Sequence, residues 1–289
     1  MTKQASIPPR AVGGLDWFAL WQQMYDNERN QAEQLTPPEF ERFADFWAGQ
    51  AGRFARAAQS APQPDGFLQF LLPRLRSTDR VLDIGAGTGR YEPLLMQTVS
   101  EVLALEPSAA MRAKLEQRIA EVPHGRVRVI AESWPTADVP PCDVVFAAHV
   151  LYGVRDVAPF LQRMHEVAKR ACYVLLGVQH PTAFIGAFWE RIHGQPRLPL
   201  PGALECLNAL YQLGIPAQLS LVPILRPFTY QDAEEAFTDI CWRLRLAPHS
   251  PHEGAVREAI AELLDQDEAG RLTPRNQPSH SAVLWWETE

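Results

Sequence analysis

The sequence predicts an α/β fold of the doubly wound kind, on three observations. From Arg80 onward, short apolar runs alternate with amphipathic helical stretches. The first of those runs opens into closely spaced glycines, Gly85, Gly87 and Gly89, and a helix follows. The chain has 289 residues, enough for one large α/β domain with additions. The expectation is a seven-stranded, mostly parallel sheet with helices on both faces. An N-terminal helical cap and an insertion after the fifth strand are added to it.

The first five strands are expected at Arg80–Ile84, Glu101–Leu105, Val127–Ala131, Asp143–Ala147 and Ala171–Gly177. Each is a short apolar run, as strands buried on both faces require. Between the second and third, Ser108 caps a helix with Met111, Leu115, Ile119 and Val122 on one face. Between the fourth and fifth, Val157, Phe160, Leu161, Met164 and Val167 mark another.

Residues 1–76 read as the helical, aromatic-rich cap, and residues 77–289 as the main domain. Trp17, Leu20, Trp21 and Met24 follow helical spacing, as do Phe40, Phe43 and Trp47. Thr36-Pro-Pro-Glu39 has the composition of a helix start. A further helix is expected from about Asp65 to Leu75. After the fifth strand, residues 178–228 are rich in proline and aromatics and break the rhythm, with a helix expected at Ala203–Leu213. Leu219–Leu225 reads as a sixth strand and Ala282–Trp286 as the last. Between them Thr229 caps a helix carrying Ala233, Ala236, Phe237, Ile240 and Leu244, and a second carries Val256, Ile260, Leu263 and Leu264.

The formal net charge of −7 argues against nucleic acid as a partner. Cys142, Cys172, Cys206 and Cys241 form no CxxC pair, so neither a zinc ribbon nor a redox dithiol is expected. No metal is expected. No stretch approaches the roughly 20 apolar residues of a membrane span, and the N-terminus has no apolar signal core. No membrane partner is expected, and the cytoplasm is the expected location. The sequence leaves the oligomeric state open between a monomer and a homodimer.

Function rests on Val81-Leu-Asp-Ile-Gly-Ala-Gly-Thr-Gly-Arg90. Glycines after a strand let a ligand approach the backbone, and the next helix offers free N–H groups to an anion. A dinucleotide fingerprint has Gly-x-Gly-x-x-Gly, whereas here the spacing is Gly-x-Gly-x-Gly and Arg90 follows. Asp83 lies inside the strand's end, before the glycines, where a carboxylate would repel a pyrophosphate but suit an ammonium group. Glu106 ends the second strand, about 20 residues on, and can accept from both hydroxyls of a ribose. NAD and S-adenosylmethionine (SAM) both offer that ribose.

The segments Val81–Tyr91, Val102–Met111, Val127–Pro135 and Asp143–Arg155 resemble, in order, the motifs of the class I SAM-dependent methyltransferases. The resemblance implies SAM as cofactor and S-adenosylhomocysteine as product. It implies that Gly85, Ala86, Gly87 and Gly89 wrap the methionine part, with Asp83 holding the loop and the ammonium. Glu106 and Pro107 would meet the ribose, and Glu132, Ser133 and Trp134 the adenine. Ala148 and His149 would lie near the sulfonium. Many relatives have Asp in place of Glu132, and the longer side chain shifts that contact. Phe46–Phe54 resembles the segment that small-molecule methyltransferases fold over the cofactor, with Arg53 the candidate for the methionine carboxylate. The Asn/Asp-Pro-Pro-Tyr motif of nucleobase and amide methyltransferases is replaced by Phe146-Ala-Ala-His-Val150.

His149 and Tyr152 are the candidate catalytic residues, since a histidine can take a proton near neutral pH. His180 follows the fifth strand and faces the site if that strand ends at Gly177. A small-molecule acceptor is expected, because cap and insertion would enclose the pocket. The rivals are an NAD-dependent oxidoreductase, a non-catalytic SAM-binding protein and a methyltransferase of macromolecules. No Tyr-x-x-x-Lys dyad supports the first.

Overall fold

The computed structural model describes residues 14–40, 52, 64–122, 126–181, 183–225 and 228–288. Its main sheet is built from β1 (Arg80–Ile84), β2 (Glu101–Leu105), β3 (Val127–Ile130), β4 (Cys142–Ala148), β5 (Ala168–Gly177), β6 (Gln218–Pro223) and β9 (His280–Glu287). The strand order is β3-β2-β1-β4-β5-β9-β6. The first five strands pair in parallel, while β9 runs antiparallel to both β5 and β6. The expected seven-stranded, mostly parallel sheet is therefore present. A two-stranded sheet of β7 (Leu264–Gln266) and β8 (Leu272–Pro274) was not foreseen from the sequence.

Helices cover both faces. On one lie α2 (Gly66–Leu71), α3 (Glu92–Thr98) and α4 (Ala109–Ala120), packed on Val81, Val102, Ala104, Val144 and Phe146. On the other lie α1 (Trp17–Gln34), α5 (Val157–Val167) and α7 (Ala203–Gln212), packed on Leu82, Leu103, Val145, Cys172 and Leu284. Alternate residues of the central strands β1, β2 and β4 serve opposite faces, which is why their runs are largely apolar. Trp21 of α1 is fully buried in the second of these cores, so α1 is part of the domain's packing.

A third core joins α6 (Ile185–His193), α8 (Ala233–Arg243) and α9 (Glu253–Leu263), with Ala32 of α1. The chain leaves the sheet for this lobe after β5 and β6 and returns at the start of the antiparallel β9. The lobe is thus attached at the carboxyl ends of the parallel strands. Residues 178–228 divide: α6 belongs to the lobe, while α7 packs on the sheet.

Local differences have local causes. The helix expected from Asp65 to Leu75 ends at Leu71 and continues as a tight turn, Leu72–Arg74, because Pro73 has no N–H to give. Thr36 does not start a helix; its hydroxyl donates back to Ala32 O at 2.7 Å, at the end of α1. Thr229 does not cap α8. Tyr230 exchanges backbone hydrogen bonds with Leu272, which keeps the chain extended, and Asp232 caps instead through Glu235 N (2.8 Å). The helix expected around Phe43 and Trp47 lies outside the described residues.

Candidate active site

Strands β1 and β4 are neighbours, but the chain proceeds from β1 to β2 on one side and from β4 to β5 on the other. Open α/β sheets bind ligands in the crevice at such a switch point. The glycine loop lies on one side of it and His149 on the other. Gly85 N and Ala86 N both donate to Leu105 O (2.8 and 3.0 Å), which sets the loop's direction. A β-carbon on Gly85 would meet Val150 Cγ2 at 2.6 Å, so the two sides touch there. Gly87 has φ +60°, yet among the described residues, its own chain neighbours apart, its β-carbon would meet nothing nearer than 3.9 Å. Open space therefore stands before Gly87, with its backbone exposed to whatever enters. Gly89 closes the loop against Leu115.

Glu106 is buried at the end of β2, and both carboxylate oxygens are engaged. Oε2 accepts from Gly87 N (2.9 Å) and Oε1 from Ser108 N (2.8 Å). These charge-assisted bonds tie the glycine loop to the start of α4. Pro107 O accepts from Arg112 Nη1 at 2.6 Å in the same turn. Asp83 is buried behind the loop against Glu92, a residue the sequence did not single out. Burial, and then the Glu92 charge, pushes the Asp83 carboxyl well above its usual range; burial raises Glu92 as well. Asp83 Oδ2 and Glu92 Oε1 are both buried, and the two carboxyl groups stand within hydrogen-bond reach of each other.

The tip of β3 is arranged differently. Glu132 Oε2 accepts from Asp138 N (2.9 Å) and Ser133 O from Ala137 N (3.0 Å), so both serve their own loop. Trp134 donates from Nε1 to Phe160 O (3.1 Å) and packs edge-on to Phe160. Arg53 lies outside the described residues. Arg90 forms an ion pair with Asp65 at 2.8 Å.

Beyond Ala148, at the end of β4, His149 has φ +60°, a conformation that non-glycine residues hold mainly at functional or over-determined sites. Its Nδ1 lies 3.1 Å from Tyr152 Oη, and that oxygen accepts from Gly177 N at 2.6 Å. The His180 ring stands edge-on to Tyr152, with centroids 4.5 Å apart. Strand β5 ends at Gly177, so His180 is brought to the site as the sequence allowed. Burial, and then Arg90, lowers His149 to about 4. Burial, and then Arg197 and Arg243, lowers His180 to about 3. Both rings are neutral at pH 7.

The N-terminal helix is fastened to this turn. Trp21 Nε1 donates to Val154 O (2.8 Å), Tyr25 Oη to Gly153 O (3.3 Å), and Arg155 pairs with Asp26 through two bonds of 2.7 Å. Among the described residues no group of three or more His, Cys, Asp or Glu could hold a metal ion.

The sequence pattern of a methyltransferase-domain family matches residues 54–197, the stretch that contains β1 to β5. The chain belongs to the class I SAM-dependent methyltransferases. SAM is therefore its cofactor and the dinucleotide alternative falls. An uncharacterized protein of Haemophilus influenzae is 27% identical over 242 residues, 78% of this chain and 84% of its own. A probable dimethyladenosine transferase of Dictyostelium discoideum is 31% identical over 103 residues, but these are 35% of this chain and 32% of its own. Magnesium protoporphyrin IX methyltransferase from Synechocystis PCC 6803, in a crystal structure with bound SAM, aligns with a TM-score of 0.45 and 11% identity. That alignment covers 96% of this chain and 99% of the other.

The residues of this methyltransferase suit a cofactor with an ammonium, a carboxylate and a ribose. Among the described residues open space stands before Gly87, Glu106 offers a carboxylate at the loop, and Asp83 lies buried behind it. Glu92 could not have been picked from the sequence. An acid in the first turn of a helix is common for dipole reasons alone, and only the fold sets it against Asp83.

The histidine shift fixes a pH dependence. The unfolded His149 titrates near 6.5 and the folded one near 4. In that window the unfolded chain binds a proton that the folded protein does not, so stability falls as pH drops through it. A His149→Gln variant, with no imidazole there, is expected to lose less stability than wild type between pH 7 and pH 5. The difference should be on the order of 1 kcal/mol in urea melts. Identical losses would mean the ring is not shielded.

Proposed function

We propose that this enzyme methylates a small molecule enclosed between the glycine loop and the lobe at the sheet's carboxyl ends. The observation that carries the reading is the His149–Tyr152–His180 group, set beyond the crevice and flanked by α1 and the segment that leads to α6. A pocket roofed by helices suits a small acceptor better than a polymer.

Within this proposal Gly85, Ala86, Gly87 and Gly89 hold the methionine end of the cofactor, and Glu106 with Pro107 the ribose. Asp83, backed by Glu92, serves the ammonium. Glu132, Ser133 and Trp134 border the adenine, although the Trp134 N–H is already used by Phe160 O. Arg53 is proposed for the methionine carboxylate. Bound SAM supplies a methyl carbon activated by its sulfonium. Ala148 and His149 shape the wall where the acceptor meets it, so positioning carries much of the rate.

Tyr152 sets what His149 presents. Its oxygen accepts from Gly177 N–H, which leaves the hydroxyl proton for His149 Nδ1. His149 then carries its own proton on Nε2 and donates to the acceptor instead of deprotonating it. Tyr152→Phe orphans the Gly177 N–H and frees the imidazole. It should cost about 1–3 kcal/mol of stability and lower kcat more than it raises the KM for SAM. A variant with wild-type turnover and melting temperature would remove Tyr152 from the site.

A ribosomal RNA acceptor is the second reading, favoured by the likeness to a ribosomal RNA small subunit methyltransferase of Arabidopsis thaliana, 28% identical over 102 residues. That likeness spans about a third of either protein and bears on the cofactor half. The net charge of −7 offers no general attraction to a phosphate backbone. The test incubates the enzyme with methyl-labelled SAM and either a small-metabolite fraction or deproteinised ribosomal RNA. Label in the small-molecule fraction supports the first reading; label only in RNA replaces it. The cytoplasm is the proposed compartment, consistent with four free cysteines, three of them buried.

A further inference from the structure

Arginines gather on the lobe side of His180. Arg197 donates from Nε and Nη2 to Glu28 (3.1 and 2.5 Å) and lies over Trp189. Arg243 donates to Asp239 at 2.7 Å, and the same carboxylate accepts from Tyr230 Oη. Both guanidiniums act on His180. Arg245 differs from them. Among the described residues its side chain makes no hydrogen bond or ion pair. It is partly buried, with Cζ 5.4 Å from the Phe40 ring centre and 5.7 Å from that of Trp242. Burial, and then Arg197 and Arg29 working against Glu28 and Glu33, holds it below the usual arginine range.

The backbone at Arg245 is a second, independent oddity. Its φ is +59°, just past the end of α8. Arg245 N donates to Trp242 O (3.1 Å) and Leu246 N to Cys241 O (3.0 Å). This is the left-handed helix ending that glycine fills most readily, because a β-carbon there is strained. A strained position that holds a half-buried cation, with no carboxylate bonded to it among the described residues, suits an anion that arrives from outside.

We propose that the methyl acceptor is a small organic carboxylate, anchored by Arg245 on the lobe side of the pocket while its reacting atom lies at His149. This rests on the small-molecule methyltransferase reading. Arg197 and Arg243 are already paired with Glu28 and Asp239, and the rings of Phe40 and Trp242 hold the Arg245 guanidinium in place.

The test titrates the protein, saturated with S-adenosylhomocysteine, with benzoate and with benzamide, two probes of nearly equal shape. A ligand of this size should bind with a dissociation constant on the order of millimolar. Benzoate is expected to bind at least roughly ten-fold more tightly than benzamide. The Arg245→Gly variant restores the residue that the helix ending favours, so its melting temperature should hold or rise. Its benzoate affinity should fall to that of benzamide. Equal binding of the two probes by wild type, or unchanged benzoate binding by the variant, overturns the proposal. Failure of S-adenosylhomocysteine itself to bind would strike instead at the methyltransferase site.

Discussion

Replacing Glu106 with alanine is expected to weaken SAM binding by roughly 100-fold or more. The carboxylate is buried, and its two oxygens bind Gly87 N and Ser108 N. Alanine would remove the acceptors proposed for the ribose and also the brace that holds the glycine loop to α4. Each bond to a charged group is worth about 1.5–3 kcal/mol, so two of them account for the expected loss. Glu106→Gln keeps one acceptor oxygen and should fall between the two. Calorimetric titration with SAM, beside a thermal melt to show that the variant folds, checks this. Unchanged affinity in a folded Glu106→Ala protein would remove Glu106 from the site.

Gly87→Val is expected to abolish measurable SAM binding while leaving a folded protein. Among the described residues, its own chain neighbours apart, the nearest atom to the position its β-carbon would take is Gly85 O at 3.9 Å, so the side chain meets open space rather than the core. That space is where the cofactor must approach the backbone. The φ of +60° adds strain for a β-branched residue and should lower the melting temperature modestly. Gly85→Val is the contrast, because its β-carbon would run into Val150 at 2.6 Å and disturb the fold itself. Retained SAM binding by Gly87→Val would mean that the ligand does not sit before this loop.

The parts of the fold that were legible are those whose cause is local. The strands Arg80–Ile84 and Glu101–Leu105 carry apolar residues on both faces, and they run between the same residues in the structure. The glycine loop is legible for the same reason, since its spacing and following helix lie within ten residues. What was missed depends on distant partners. Helix α6 has Ile185, Phe188, Trp189 and Ile192 at helical spacing, but its proline-rich surroundings hid it, and its partners lie on α8 and α9. Asp232 caps α8 in place of Thr229 only because Tyr230 pairs with Leu272. In the site, the Trp134 ring turns to Phe160, and Glu92 meets Asp83 only once the helix after the loop folds back.

The most direct measurement is calorimetric titration of the purified protein with SAM, S-adenosylhomocysteine and NADH side by side. Micromolar binding of the first two, and none of NADH, is the predicted result. Binding of NADH alone would contradict both the reading of the glycine loop and the methyltransferase assignment built on it.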